Sequence, residues 1–575
     1  MEEKTYPEFS TNYPLLLKTF MLRPVSIYPH ETGIVYRNHL TGNYQRFTWE
    51  AWYQRTCRLA NALQTIGMKS GRPGEPGDRI ATMALNSHRH MEIYYAVPCS
   101  GSVLHCVNVR LSHEHIIYTL THAEDNVLFF DDSLLPLVES IYDRIKETVK
   151  TFVYMSDDPK LPDTRISPLY HYEELIRSEP DTFDWPYLDE DTIATLCYTT
   201  ATTGLPKGAM FTHRSLYLQT LHLTALAQFS NDPTTSNLGE NVVPMITTPL
   251  FHIHGWSQPF GYVFGAHKLV LPGTFTVDGF CELVQEERVT HVAVVPTILA
   301  LLMEYQDLDK YDLSSLVHVG VGGGALPLGL KEKIEKRIPG INASSGYGMT
   351  ETAPATVMAF VKKQMRDWPK AQLDQVRVKT GLPVPGFEVE VVDANGIPVA
   401  RDNETIGQIV VRGPWVMEKY YKNPEKTSEV WIDGWFHTGD LASVDKEGFL
   451  TIADRMSDVI RSGSEMVPTV LLENLASLAG FVLEAAVVGV PDEVWGEKAL
   501  AVIKVLPGTD RTEQDLIDFL IEEGVEKGKI TRWMLPKLVA IVDEIPKTSV
   551  GKFSKRTIRE NLDQFLKKAV EVSAG

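Results

Sequence analysis

Between Thr199 and Gly208 the chain reads TTATTGLPKG, a run that concentrates donors. Thr199, Thr200, Thr202 and Thr203 supply hydroxyls, Gly204 an unencumbered backbone, and Lys207 one ammonium. Such a set suits an anion, most plainly a polyphosphate, because donors fixed in advance stabilise charge that develops during phosphoryl or nucleotidyl transfer. The order Lys-Gly does not fit the GxxxxGK[ST] spacing of a Walker loop. An ordinary Thr/Gly/Pro connection is the plain alternative. The buried-strand pattern of residues 192–198 and the helical pattern from Arg214 onward predict a loop between strand and helix, held still by both.

Three further stretches bear on the chemistry. In Pro249–Trp256, His252 and His254 stand two apart and would share one face of a strand, but no third ligand lies at metal spacing. In residues 316–325, Gly320, Gly322, Gly323, Gly324 and Ala325 form a GxGxxA pattern between strand-like and helix-like runs. The acidic residue that a dinucleotide site needs after the next strand is missing, which argues against that reading. Near the end of the chain, Pro546–Lys552 reads PKTSVGK; alone, its lysine is an ordinary surface residue.

Taken together and in order, these stretches resemble the adenylate-forming superfamily: acyl-CoA synthetases, firefly luciferase and peptide-synthetase adenylation domains. The resemblance runs from about residue 30 to about 560 and rests on the Thr-rich loop, TyrGlyMetThrGlu at 347–351, ThrGlyAsp at 438–440, AspArg at 454–455 and PKTSVGK. It implies that Thr199 to Lys207 hold the ATP β- and γ-phosphates, with Tyr347 stacked on adenine among Gly346, Gly348 and Met349. Thr350 would bind the α-phosphate and Glu351 would bind Mg²⁺. Gly322 to Pro327 would border adenine and the acyl group. Asp440 would take both ribose hydroxyls, aided by Arg455, and Lys552 would be the catalytic lysine. These assignments suit the residue types: an aromatic ring offers a base an apolar face, and a carboxylate accepts two hydrogen bonds or ligates magnesium. By the same resemblance His252, Trp256, Gly320, Gly322 and Gly348 would line the acid's pocket, glycine at 348 leaving its floor open. Ala201, Ser457, Ser464 and Leu471 depart from the family pattern, and the last three predict that thioester formation is the slower half-reaction.

The implied activity is that of an ATP-dependent acyl-CoA synthetase resembling the medium-chain fatty-acid ligases. A carboxylic acid and ATP would give an acyl-adenylate and pyrophosphate, and coenzyme A would then give the thioester and AMP. A medium-chain fatty or aryl acid is expected. A luciferase-like oxygenase, a ligase serving a carrier protein and a non-catalytic acyl-nucleotide binder are the alternatives.

The elements that must position these groups follow from the rest of the chain. At 575 residues it exceeds one hydrophobic core, and 43% hydrophobic with 22% charged residues is ordinary globular composition. A net charge of −19 leaves no general surface for nucleic acid. The 5 cysteines form no CxxC pair and suit a reducing compartment. With an acidic start, no apolar leader core and no run of membrane-spanning length, the expected location is cytoplasmic; a homodimer is left open. Alternating apolar and helical patterns predict an α/β fold. Residues 1–454 would form a large domain of layered α/β subdomains plus a small β-rich one, and residues 455–575 a small, mobile α+β domain carrying Lys552.

Overall fold

The computed structural model describes residues 13–38, 41–72, 75–199, 204–229, 242–462, 465–548 and 551–573. By internal contacts the chain forms two units. The first comprises Met1–Thr224, Pro249–Thr274 and Pro414–Pro424; the second comprises Ala225–Thr248, Phe275–Gly413 and Glu425–Gly575.

The first unit is built on a seven-stranded sheet in the order Leu169–His171, Thr151–Met155, Asp125–Asp131, Arg79–Met83, Val103–Cys106, Ile193–Tyr198, Gly208–Thr212. All neighbours are parallel except the last pair. Parallel strands need crossovers, and helices such as His113–Ala123 and Leu135–Ile145 supply them. Alternation decides which side chains meet these helices: Ala81, Met83, Leu128, Phe130, Phe152 and Tyr154 share a core with Ile116, Leu120, Val138 and Ile141.

In the second unit the strands Pro244–Met245, His291–Val294, His318–Val321 and Asn342–Gly348 run parallel, and Ala355–Met358 and Leu382–Pro383 add antiparallel edges. A separate antiparallel sheet holds Glu388–Val392, Gly407–Arg412, Trp435–Val444 and Leu450–Arg455. This is a small β-rich part of the kind expected within residues 1–454. The carboxy-terminal part is α+β. Along its strand Val482–Asp492, Ala485 and Val487 face one core with Leu472 and Leu516, while Ala486, Val488 and Val490 face another with Ile545 and Ile558. Period-two alternation with apolar residues at both phases is what a strand covered on both faces requires.

That carboxy-terminal part is docked by a specific contact. Helix Leu328–Arg337 meets helix Thr469–Leu478 where a Cβ on Gly329 would fall 2.0 Å from the Ser477 carbonyl oxygen, so only glycine admits the approach. The Lys333 ammonium donates to the carbonyls of Ser477 (3.3 Å), Ala479 (3.3 Å) and Val482 (2.7 Å), gripping the last turn of that helix and the link to the strand after it. Lys504 adds an ion pair with Glu304 at 2.6 Å.

Candidate active site

The Thr-rich loop is a hairpin connection, which corrects the strand-to-helix expectation. Strand Ile193–Tyr198 pairs antiparallel with a second strand, Gly208–Thr212, before the helix His213–Phe229 begins. The neck of the loop is closed by Thr199 N donating to Lys207 O (2.9 Å) and Lys207 N donating to Thr199 Oγ1 (3.2 Å). A Cβ on Gly208 would lie 2.9 Å from the Leu196 side chain, so glycine gives that side chain its room. Gly204 has a φ of 83°, the left-handed region that glycine enters without strain. Thr200, Ala201, Thr202 and Thr203 lie outside the described residues, as does Ser464.

His252 and Trp256, in the same unit, flank a feature that periodicity did not reveal. Ile253, His254, Gly255, Trp256 and Ser257 all have positive φ, from 31° to 58°. Left-handed backbone costs a non-glycine residue roughly 1–2 kcal/mol, so the surroundings must hold the turn in place. They do so through Leu250, whose amide donates to Asn86 Oδ1 (2.9 Å) and whose carbonyl accepts from the Tyr94 hydroxyl. They also do so through His254, which is fully buried with Nε2 2.7 Å from Thr195 Oγ1. Burial pushes the His254 imidazole down to about 3. The segment is therefore not a strand presenting two histidines to one ion; His254 is a core anchor, and His252 and Trp256 remain half-buried.

In the second unit the predicted nucleotide residues gather. Asp440 and Arg455 are cross-strand partners, and Arg455 Nε lies 3.2 Å from Asp440 Oδ1. Tyr347, near the end of Asn342–Gly348, donates its hydroxyl to Asp440 Oδ2 at 2.7 Å. Burial first, then the Asp440 charge, holds that phenol well above its ordinary range. Asp440 likewise raises Arg455. Thr350 and Glu351 open the short turn Thr350–Thr352, with Glu351 buried. Lys552 is half-buried and feels Arg455, Asp440 and Glu351; desolvation leads, with Arg455 adding to it, and the ammonium is lowered to about 8.

Sequence reasoning missed Thr297, at the start of helix Pro296–Glu304, whose hydroxyl donates to the Gly551 carbonyl at 2.9 Å and fixes the turn carrying Lys552. Only the ValProThr run ahead of a helical pattern could have drawn attention to it. Lys555 is a structural companion: it pairs with Glu473 at 2.9 Å and reaches Thr469 Oγ1, while Asp454 accepts from the Thr469 amide and hydroxyl.

The glycines differ in what they do. Gly322 follows strand His318–Val321 and donates to Val294 O at 3.1 Å; Gly323 has a φ of 75°, and the turn through Gly324 and Ala325 leads into helix Leu328–Arg337. A Cβ on Gly320 or Gly346 would meet nothing closer than 3.7 Å. On Gly348 it would fall 1.8 Å from the Pro354 carbonyl oxygen. The expectation that Gly348 keeps a pocket floor open is corrected accordingly: backbone already fills the direction a side chain would take, and glycine is there to admit it.

Tyr347, Glu351, Asp440, Arg455 and Lys552 thus form an array of one phenol, two carboxylates, one guanidinium and one ammonium. The AMP-binding enzyme model matches residues 24–421, and the AMP-binding enzyme C-terminal domain model matches residues 471–552. The long-chain-fatty-acid–CoA ligase of Thermus thermophilus is 38% identical, over 97% of this chain and 98% of its own. The medium-chain-fatty-acid–CoA ligase of Ectopseudomonas oleovorans is 34% identical, over 92% of each. The fold matches the crystal structure of anthranilate CoA ligase AuaEII in complex with anthranoyl-AMP with a TM-score of 0.81 at 22% identity, covering 96% of this chain and 98% of that one. The chain belongs to the AMP-binding enzyme family, as one of its AMP-forming acid–thiol ligases.

Proposed function

We propose that this acyl-CoA synthetase activates a medium-chain fatty or aryl carboxylic acid in two half-reactions, with the Tyr347, Glu351, Asp440, Arg455 and Lys552 array as the nucleotide site. The observation that carries the reading is that array, assembled from strands and turns far apart in sequence. A carboxylate resists a thiol because it is anionic and would have to expel oxide; adenylation removes both obstacles. A carboxylate oxygen attacks the α-phosphorus and pyrophosphate departs. The thiol of coenzyme A then attacks the acyl carbon and AMP departs.

Each residue contributes through position and charge. Asp440 accepts from the ribose hydroxyls, with Arg455 and the Tyr347 hydroxyl orienting its two oxygens. Thr350 contacts the α-phosphate, and Lys552 bridges acid and α-phosphate as negative charge shifts between them. In the first unit Thr199, Gly204 and Lys207 hold the β- and γ-phosphates, and His252 and Trp256 border the acid. Glu351 fits Mg²⁺ of the kind held by one carboxylate and by substrate phosphates, since it is a single buried carboxylate. When bound, that ion offsets the phosphates' negative charge. Residues 455–575 move as a domain between the half-reactions. Cytoplasmic residence belongs to the same reading, supported by five free, buried cysteines.

A panel of acids tests the substrate class. Release of AMP and pyrophosphate with coenzyme A should be greater for six- to ten-carbon or aryl acids than for acetate, each buried methylene adding about 0.8 kcal/mol of binding. Strong preference for acetate would overturn the class. Oxygen uptake during turnover would favour the luciferase-like alternative.

A further inference from the structure

The segment Pro414–Pro424 lies two hundred residues beyond the Thr-rich loop yet belongs to the same unit. It is anchored at both ends: Trp415 is fully buried with its ring 5.1 Å from that of His222, and Lys422 pairs with Glu124 at 2.6 Å. Between the anchors the segment runs along the strand that leaves the loop. Tyr421 N donates to Gly208 O at 2.7 Å, and Tyr420 forms an isolated antiparallel bridge with Ala209. Tyr420 is 3% exposed, and the Lys207 ammonium sits 4.5 Å from its ring centroid. The strand entering the loop is tied to the same region, because the Tyr198 hydroxyl lies 2.7 Å from His122 Nδ1, and the His122 ring meets Tyr421 edge-on at 5.6 Å.

We propose that Tyr420 is a positioning residue for nucleotide binding, its ring face holding the Lys207 ammonium where the ATP phosphates must meet it. This rests on the reading of Lys207 as a phosphate ligand. A lysine on a Thr/Gly-rich loop has four flexible carbons to order before it can grip an anion, and ordering them in advance improves affinity. A carboxylate could order it too, but would neutralise the charge and occupy the N–H donors that phosphate needs. An aromatic face attracts the cation through its quadrupole and leaves both charge and donors available. The backbone bridge at Ala209 fixes the ring relative to the lysine two residues before it. Tyr420 acts through Lys207 and touches no substrate itself.

The test compares Tyr420→Leu, Tyr420→Phe, Lys207→Ala and the Lys207→Ala/Tyr420→Leu double variant in the full chain, reading KM for ATP, KM for the acid and kcat. Tyr420→Leu should raise KM for ATP about three- to thirtyfold, the range a partly desolvated cation–π contact spans. KM for the acid and kcat should stay within about twofold of the parent. Tyr420→Phe keeps the ring face and should behave as the parent does. The double variant should be no worse than Lys207→Ala alone, because the two residues act as one unit. If Tyr420→Leu does not fold, Tyr420→Met is judged by the same criteria. Unchanged ATP dependence in Tyr420→Leu alongside a raised KM in Lys207→Ala would overturn the brace and leave the phosphate reading standing. Loss in Tyr420→Phe equal to that in Tyr420→Leu would also overturn it, as would full additivity in the double variant. Unchanged ATP dependence in Lys207→Ala would instead remove the phosphate reading.

Discussion

Two opposed influences meet at the ammonium of Lys552: burial and Arg455 favour the neutral amine, while Asp440 and Glu351 favour the cation. The first pair wins, and the group titrates near 8. Since the proposed role needs the cation, kcat/KM for adenylate formation should fall as pH rises through about 8 in the free enzyme. Lys552→Arg should remove that limb, because a guanidinium stays charged. Lys552→Ala should lose roughly 10²- to 10³-fold in adenylation, the cost of removing one preorganised donor, with far less effect on thioester formation from supplied acyl-adenylate. A flat profile from pH 7 to 9.5, or equal loss in both half-reactions, would remove Lys552 from this role. Tyr347, Asp440, Arg455 and Lys552 were singled out through the family motifs they match, and the structure places them near one another. Gly348 was misread because the reason for a glycine can be a neighbour's backbone, here the Pro354 carbonyl, and no spacing rule reveals that approach.

Among the elements, the strand at Ile193–Tyr198 and the short strand His318–Val321 followed their patterns, whereas Gly208–Thr212 and the turn at residues 253–257 did not. Gly208–Thr212 is five residues long and hidden by the helix that follows it, so the loop was assigned the wrong partner. The left-handed turn at residues 253–257 has no periodicity at all; its shape is imposed by Asn86, Tyr94 and Thr195, which are remote in sequence. The start of the part expected to be mobile shows the same dependence on context. After Arg455 the chain makes a tight turn, with the amides of Asp458 and Val459 donating to the Arg455 carbonyl at 2.9 and 3.0 Å. Ser457 is exposed on it, and Arg559 pairs with the adjacent Asp458. Leu471, one of the departures from the family pattern, packs against the carboxy-terminal core. If residues 455–575 pivot about Ser457, Ser457→Pro fixes φ there and should spare pyrophosphate release while abolishing acyl-CoA product. Rapid-quench measurement of both half-reactions checks this, and equal loss in both would show that the pivot lies elsewhere.

Across the whole molecule, the α/β class, the β-rich part and the α+β carboxy-terminal part were each visible as changes in pattern along the chain. Their packing was not, because it depends on contacts such as Gly329 against Ser477 and Lys333 on three carbonyls, where the residue types give no hint of the partner. Among the described residues no helix is long and apolar enough to cross a membrane. The acidic balance of −19 makes local arrays, rather than a general basic surface, the means of binding anionic substrates. The central claim is that the acid's own oxygen becomes bonded to the α-phosphorus before the thiol arrives. Turnover of an acid labelled with ¹⁸O in its carboxylate, in the presence of ATP and coenzyme A, tests it directly by mass spectrometry of the nucleotide. The account predicts one ¹⁸O atom in AMP for each acyl-CoA formed and none in pyrophosphate; AMP free of label, with ¹⁸O released to water or inorganic phosphate, would contradict it.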